Sequence, residues 1–280
     1  MSKSLINWYK SLGSKVIGMY HGIFMSPMVF NNPLIYRQWN QFDFLDAYVF
    51  IGSDDYYFYN KLNFKNHIFI PNCYTFEPSK IGNSNLTYNN IVMLGREGDK
   101  IKGATYAVKA MEYIVKEFPD AILNIISPNS KIDFIKELTK DLNLTDNIKF
   151  IYYTNDISKY FFNSSIFLFP SLSEAFPMAM NEGKAHGLPV VAFDVPISNP
   201  YQGGVIKVDS LDYIALAREC IKLLKDYNYR KKMGELAKLS LDMFPNEKTI
   251  ELWGKLFEAL KEGDEKFRDL QKEVENKYYN

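Results

Sequence analysis

Short apolar runs alternate with amphipathic stretches along most of the chain. Lys15–Tyr20 (KVIGMY), Asp46–Gly52 (DAYVFIG) and Asn66–Pro71 (NHIFIP) read as buried strands. A polar stretch follows, Glu77–Asn90, with Pro, Gly, Ser and four Asn, and it reads as a linker. Beyond it the alternation becomes regular. Strands are predicted at Asn90–Leu94, Ala121–Ile126, Ile148–Tyr152, Ser165–Phe169, Pro189–Phe193 and Gly204–Val208. Between them the spacing predicts helices at Gly103–Phe118, Ile132–Leu142, Ile157–Phe162 and near Met178–His186. The strand runs are short, bounded by turn residues and apolar on both faces. That is the pattern of a parallel sheet covered by helices, so the fold class is α/β.

The C-terminal part is helical, over Ser210–Lys225, Tyr229–Phe244 and Glu247–Leu260, with a break at Asp242–Pro245. Past Leu260 the charge density is high and apolar residues are few, which predicts a solvated helix or a frayed end. Three units follow: residues 1–80, residues 85–245 and a C-terminal piece, 246–280.

Composition narrows the function. The chain has 280 residues, 47% of them hydrophobic, enough to build a packed core. Its 33 basic and 33 acidic residues cancel, which argues against a general nucleic-acid binder. Cys73 and Cys220 are far apart and lack metal-type spacing, so no disulfide framework is expected and a reducing compartment fits. No apolar run approaches a membrane span, and the N-terminus lacks a signal-peptide core. A soluble cytoplasmic protein is therefore expected, with the sequons at Asn85, Asn143 and Asn163 arising by chance.

Ligands of open parallel sheets bind at the carboxyl ends of the strands. The first loop there is Gly95–Gly103, where Arg96 and Lys102 flank a predicted helix start. Backbone N–H donors, the helix dipole and two cations suit a diphosphate, although a solvated basic turn has the same composition. The phosphate loop GxxxxGK[ST] is absent. The second segment, Pro170–Pro189, carries Glu174 in a loop and Glu182 in the first turns of a helix. Both carboxylates could simply complement the helix dipole, or both could accept hydrogen bonds from sugar hydroxyls. A third loop, Tyr201–Val205, is another crevice candidate.

The run SEAFPMAMNEGKAHGLPVV resembles the E-x7-E signature of glycosyltransferase family 4, retaining enzymes with the GT-B fold. Glu174 and Glu182 have the spacing, and Gly187 with Pro189–Ala192 also fits. Upstream, Gly95-Arg96 and Lys102-Gly103 match the family's Gly-Arg…Lys-Gly pair, and Pro119–Leu123 looks like its second strand. The match runs over roughly Asn90–Phe244. More weakly, Val16–Gly22 with His21, Asp46–Ser53 and Ile70–Asn72 resemble parts of the family's N-terminal domain. There are departures. Ser127-Pro128-Asn129 replaces a Gly-rich turn, and Pro177 replaces a common Gly, removing a backbone N–H. The N-terminal domain is short, with no counterpart of the glycine-rich first strand-turn-helix.

The resemblance implies one complete Rossmann-like domain, a partial one before it, and C-terminal helices folding back on the N-terminal part. It implies transfer of a sugar, with retention, from a nucleotide-diphosphate sugar to a glycan or lipid-linked acceptor, a UDP-sugar being favoured over a GDP-sugar. The roles implied are Arg96 and Lys102 at the diphosphate, Glu174 at the donor hexose, His21 approaching from the other domain, and Glu182 at the ribose. Gly95, Ala175, Phe176, Pro177 and Met178 line the donor. No Asp-x-Asp is present, so neither a metal nor a further cofactor is expected. Alternatives are a noncatalytic nucleotide-sugar-binding remnant or subunit, and a sugar-nucleotide epimerase. Peripheral membrane association is compatible with this class. The short N-terminal sheet should leave Tyr56–Phe69 and Gly18–Phe30 partly uncovered, which points to a homo-oligomer or a partner subunit.

Overall fold

The computed structural model describes residues 2–21, 44–61, 65–95, 101–127, 133–152, 154, 156–195 and 203–278. The chain opens with helix α1 (Lys3–Ser11), started by the Ser2 side chain accepting from the Leu5 N–H. Strands β1 (Ile17–Tyr20), β2 (Ala47–Phe50) and β3 (His67–Phe69) form a parallel sheet in that order. Helix α2 (Ser53–Lys61) connects β2 to β3.

The second sheet contains β4 (Asn90–Leu94), β5 (Ile122–Ile126), β6 (Ile148–Ile151), β7 (Ile166–Phe169), β8 (Val190–Phe193) and β9 (Val205–Val208). Its order is β6-β5-β4-β7-β8-β9, parallel throughout. Helices α3 (Ala104–Glu117), α4 (Asp133–Asp141), α5 (Ser158–Phe162), α6 (Met178–Ala185) and α7 (Tyr213–Lys225) connect and cover the strands. Helix α8 (Tyr227–Leu239) follows. The amphipathic pattern explains the packing: Ala107, Ala110, Met111 and Ile114 share one face of α3 and are all buried. The architecture is α/β, a complete Rossmann-like sheet preceded by a partial one. Winding runs outward from β4 in one direction, then restarts at β7 in the other. A topological switch point therefore lies between the carboxyl ends of β4 and β7.

A second core joins the small sheet to helices α9 (Asn246–Glu262) and α10 (Asp264–Tyr278). Phe69 of β3 meets the rings of Phe244 and Tyr278, with centroids 6.1 and 5.5 Å away. Two expectations are corrected here. The charged tail is neither solvated nor frayed: α10 buries Phe267, Leu270 and Val274, a narrow stripe at helical spacing among charges. The aromatic stretch after Ser53 is not uncovered either. Tyr56, Tyr59, Ile68 and Phe69 are buried in the core that α9 and α10 complete, although Tyr57 is exposed. Most of Gly18–Phe30 lies outside the described residues. Among the described residues no helix is long and apolar enough to cross a membrane.

The linker is fastened to the large domain by Arg230, a buried residue of α8. Its Nε and Nη2 donate to the Leu86 carbonyl at 3.0 and 2.7 Å, and Nη1 to the Leu224 carbonyl at 2.9 Å. The last of these bonds satisfies a carbonyl at the end of α7 that the helix itself leaves open.

Candidate active site

The switch point is built from the loop after β4 and the loop after β7. Gly95 follows β4, its N–H donating to the Ile126 carbonyl at 2.8 Å, and among the described residues nothing fills the space where a Cβ would stand. Arg96 lies outside the described residues. At the far end of the loop, residues 101–103 are bound to the β7 exit. The Leu172 N–H donates to the Ile101 carbonyl at 2.7 Å. Gly103 has φ +73°, and a Cβ there would stand 1.9 Å from the Pro170 carbonyl oxygen. Only glycine permits so close an approach in that conformation. The start of α3 is thereby held against the end of β7.

That closeness brings Lys102 and Glu174 together. Lys102 Nζ donates to Glu174 Oε1, with side-chain exposures of 15% and 10%. Ser171 Oγ donates to the same oxygen at 2.7 Å. Glu174 Oε2 accepts no hydrogen bond from a described residue, so a lone-pair face of the carboxylate remains available beside a fixed ammonium. A largely desolvated pair of this kind costs stability when one partner is removed, because the other charge is left uncompensated.

Helix α6 starts at the same end of the sheet, with Pro177 at its N-cap. Gly183 lets it lie against β7, since a Cβ would stand 2.8 Å from the Phe167 ring. Glu182 is half-buried, and burial raises its pKa above the ordinary carboxylate value. It makes no side-chain hydrogen bond or ion pair with a described residue. The side chains of Ala175 and Phe176 are buried in the second core, and Met178 packs on it. With their side chains buried, Ala175 and Phe176 can offer a ligand only their backbone. The Met178 N–H is already taken by the Phe176 carbonyl at 2.9 Å. His21 directly follows β1, at the carboxyl end of the small sheet, and is exposed. The structure joins it by hydrogen bond to neither Lys102 nor Glu174.

Two residues of α6 escaped the sequence analysis. Lys184 is fully buried, donates to Ser240 Oγ at 3.2 Å, and has its pKa lowered by burial to about 7. Asn181, one residue before Glu182, is fully buried, and among the described residues neither of its side-chain polar atoms has a hydrogen-bond partner. Among the described residues no group of three or more His, Cys, Asp and Glu is placed to hold a metal ion.

The sequence pattern of the family described as Glycosyl transferases group 1 matches residues 76–240. A Haemophilus influenzae protein named only as a glycosyltransferase is 28% identical over 158 residues, 54% of this chain and 44% of that protein. The Escherichia coli UDP-Gal:alpha-D-GlcNAc-diphosphoundecaprenol alpha-1,3-galactosyltransferase is 23% identical over 169 residues, 52% of this chain and 44% of that one. The match thus spans less than half of each of these relatives. The crystal structure of Anabaena HepE with UDP and glucose superposes with a TM-score of 0.77 at 12% identity, covering 92% of this chain and 76% of that one. That likeness extends over both sheets and concerns the fold. With the family pattern covering both loops of the switch point, the chain belongs to the glycosyl transferases group 1 family.

Proposed function

We propose that the chain binds a nucleotide-diphosphate sugar at the switch point and transfers its hexose, with retention, to a glycan or lipid-linked acceptor. The observation that carries this reading is the contact of Lys102 with Glu174 across the β4 and β7 exits. A cation and a carboxylate held side by side fit the two halves of such a donor. Lys102 takes the diphosphate, joined by Arg96, and stabilises the charge that develops as the diphosphate departs. Cations positioned for that charge are commonly the largest single catalytic contribution. Glu174 keeps Lys102 in place through Oε1 and offers Oε2 to a hexose hydroxyl. Glu182, a half-buried carboxylate with no protein partner among the described residues, accepts from the ribose hydroxyls. His21 completes the sugar site from the small sheet. The donor bond from the anomeric carbon to the diphosphate breaks, the acceptor oxygen bonds on the same face, and the acceptor proton leaves with the diphosphate.

Uracil is the base favoured, in line with the UDP-sugar donor named for the Escherichia coli relative and the UDP in the Anabaena structure. A second reading, a donor-binding subunit without transfer, is favoured by one observation: among the described residues the acceptor-side sheet has three strands against six in the donor-side sheet. Donor turnover with and without glycan or lipid-linked acceptors separates the readings. Transfer to an acceptor supports the first, binding without turnover the second, and turnover with no acceptor an epimerase or hydrolase.

A further inference from the structure

The first helix turns the wrong side to solvent for a protein surface. Leu5, Trp8, Tyr9 and Leu12 fall at i, i+3, i+4 and i+7, one face of α1 and its C-cap, and all four are exposed, Trp8 by 54% and Leu12 by 63%. The side of α1 that faces the protein is fixed. Ile6 is buried in the second core, Lys3 Nζ lies 3.8 Å from the centroid of the Phe44 ring, and Lys10 Nζ donates to the Phe44 carbonyl at 3.2 Å. The apolar stripe is therefore held outward by contacts on the opposite side of the helix.

The charge around it is one-sided. The whole chain is balanced, yet Lys3, Lys10 and Lys15 precede the first acidic residue, Asp43. Asp46, which pairs with both Lys10 and Lys15, is itself almost withdrawn from solvent. Lys10 and Lys15 also border a depression of ≈ 800 Å³ at the amino ends of β1–β3, shared with Lys65, Arg268 and Lys272, where cations outnumber carboxylates.

We propose that α1 lies in the interface of an anionic lipid bilayer, with Leu5, Trp8, Tyr9 and Leu12 inserted and the local excess of cations drawing it to anionic headgroups. Trp and Tyr suit the boundary between headgroups and acyl chains, because each has an apolar body and a polar tip. Nine helical residues cannot span a bilayer but can lie along it. A protein partner fits less well. Four half-exposed side chains present a few hundred Å², whereas a stable interface takes about 800 Å² from each side. Apolar insertion together with a basic patch supplies the two signals that lasting peripheral attachment needs. The proposal is independent of the donor-site reading.

The test is sedimentation of the purified full chain with vesicles of phosphatidylcholine alone, or of phosphatidylcholine and phosphatidylglycerol in equal parts. Partition should be at least about tenfold higher on the anionic vesicles and should fall with added salt. Leu5→Ser/Trp8→Ser/Leu12→Ser should lose about tenfold or more of that partition. Leu12→Glu, a single change at a mostly exposed position, should show the same direction of effect. Melting temperature and UDP binding should stay unchanged in both variants. Absence of wild-type partition, or equal partition of wild type and variants, overturns the proposal. So does light scattering that shows a wild-type dimer converted to monomer by these substitutions, which would make the stripe a contact between copies of the chain.

Discussion

Lys102 and Glu174 hold each other at the switch point, so their substitutions should have effects of two kinds. Lys102→Ala should lower transfer by roughly 10²–10³-fold, the usual loss for one charge-stabilising donor. Both Lys102→Ala and Glu174→Gln should lower thermal stability modestly, because the pair is largely desolvated. Glu174→Gln should mainly reduce turnover and sugar selectivity, while Glu182→Gln should mainly weaken nucleotide binding, since an amide oxygen is a poorer acceptor for two hydroxyls. Equal loss of nucleoside-monophosphate affinity in the two variants would contradict that division. Because burial raises the Glu182 pKa, nucleotide affinity in the wild type should decline in mildly acidic buffer, and Glu182→Gln should flatten the decline. Lys184 has the opposite sign. Its folded-state pKa of about 7 lies below the ordinary 10.5, so the unfolded chain binds more protons between those values and stability is gained as pH rises through that window. Lys184→Met should be relatively more stable at neutral pH, with its advantage shrinking toward about pH 10.5; a constant difference in urea titrations would contradict this. Much of the site was legible because Glu174, Lys102 and Gly103 sit in short motifs at fixed spacing. The partnership of Lys102 with Glu174 was not, since it depends on the order in which strands pair. Lys184 and Asn181 were invisible for another reason: burial is a tertiary property that a polar residue on a short helix does not announce.

At the scale of elements, the strands of the large sheet and the helices between them followed from period and turn residues. Strands buried on both faces give continuous apolar runs, and these are hard to mistake over six repeats. Helix α10 was misjudged because its stripe is three residues wide in a charged sequence, and only its packing against α9 and β3 makes that stripe a core face. Helices α1 and α2 went unassigned for a related reason, since α1 exposes its apolar side and α2 is rich in Tyr and Asp. If α10 is a core element, Leu270→Ala should cost about 2–5 kcal/mol. Loss of less than about 0.5 kcal/mol in denaturant unfolding would return it to a solvated tail. Gly103→Ala acts on the junction of two elements. It should lower the melting temperature and, by moving the start of α3 off Pro170, weaken diphosphate binding as well.

At the scale of the whole molecule, the two sheets divide the work. Under the proposed function, donor contacts come mostly from the large domain and the acceptor is met by the small one, so donor binding should survive conditions in which transfer is slow. The proposed function assigns two cations, Arg96 and Lys102, to the diphosphate, and on that reading activity should persist in EDTA; complete loss with rescue by magnesium or manganese would remove Lys102 from its assigned role. The most direct measurement is calorimetric titration of the purified chain with UDP-glucose and with uridine, in the wild type and in Lys102→Ala. UDP-glucose should bind the wild type, and Lys102→Ala should weaken it by about tenfold or more while changing uridine far less. Absence of binding to UDP-, GDP- and ADP-sugars alike, or equal affinity of UDP-glucose for wild type and Lys102→Ala, would contradict a nucleotide-sugar site at the switch point.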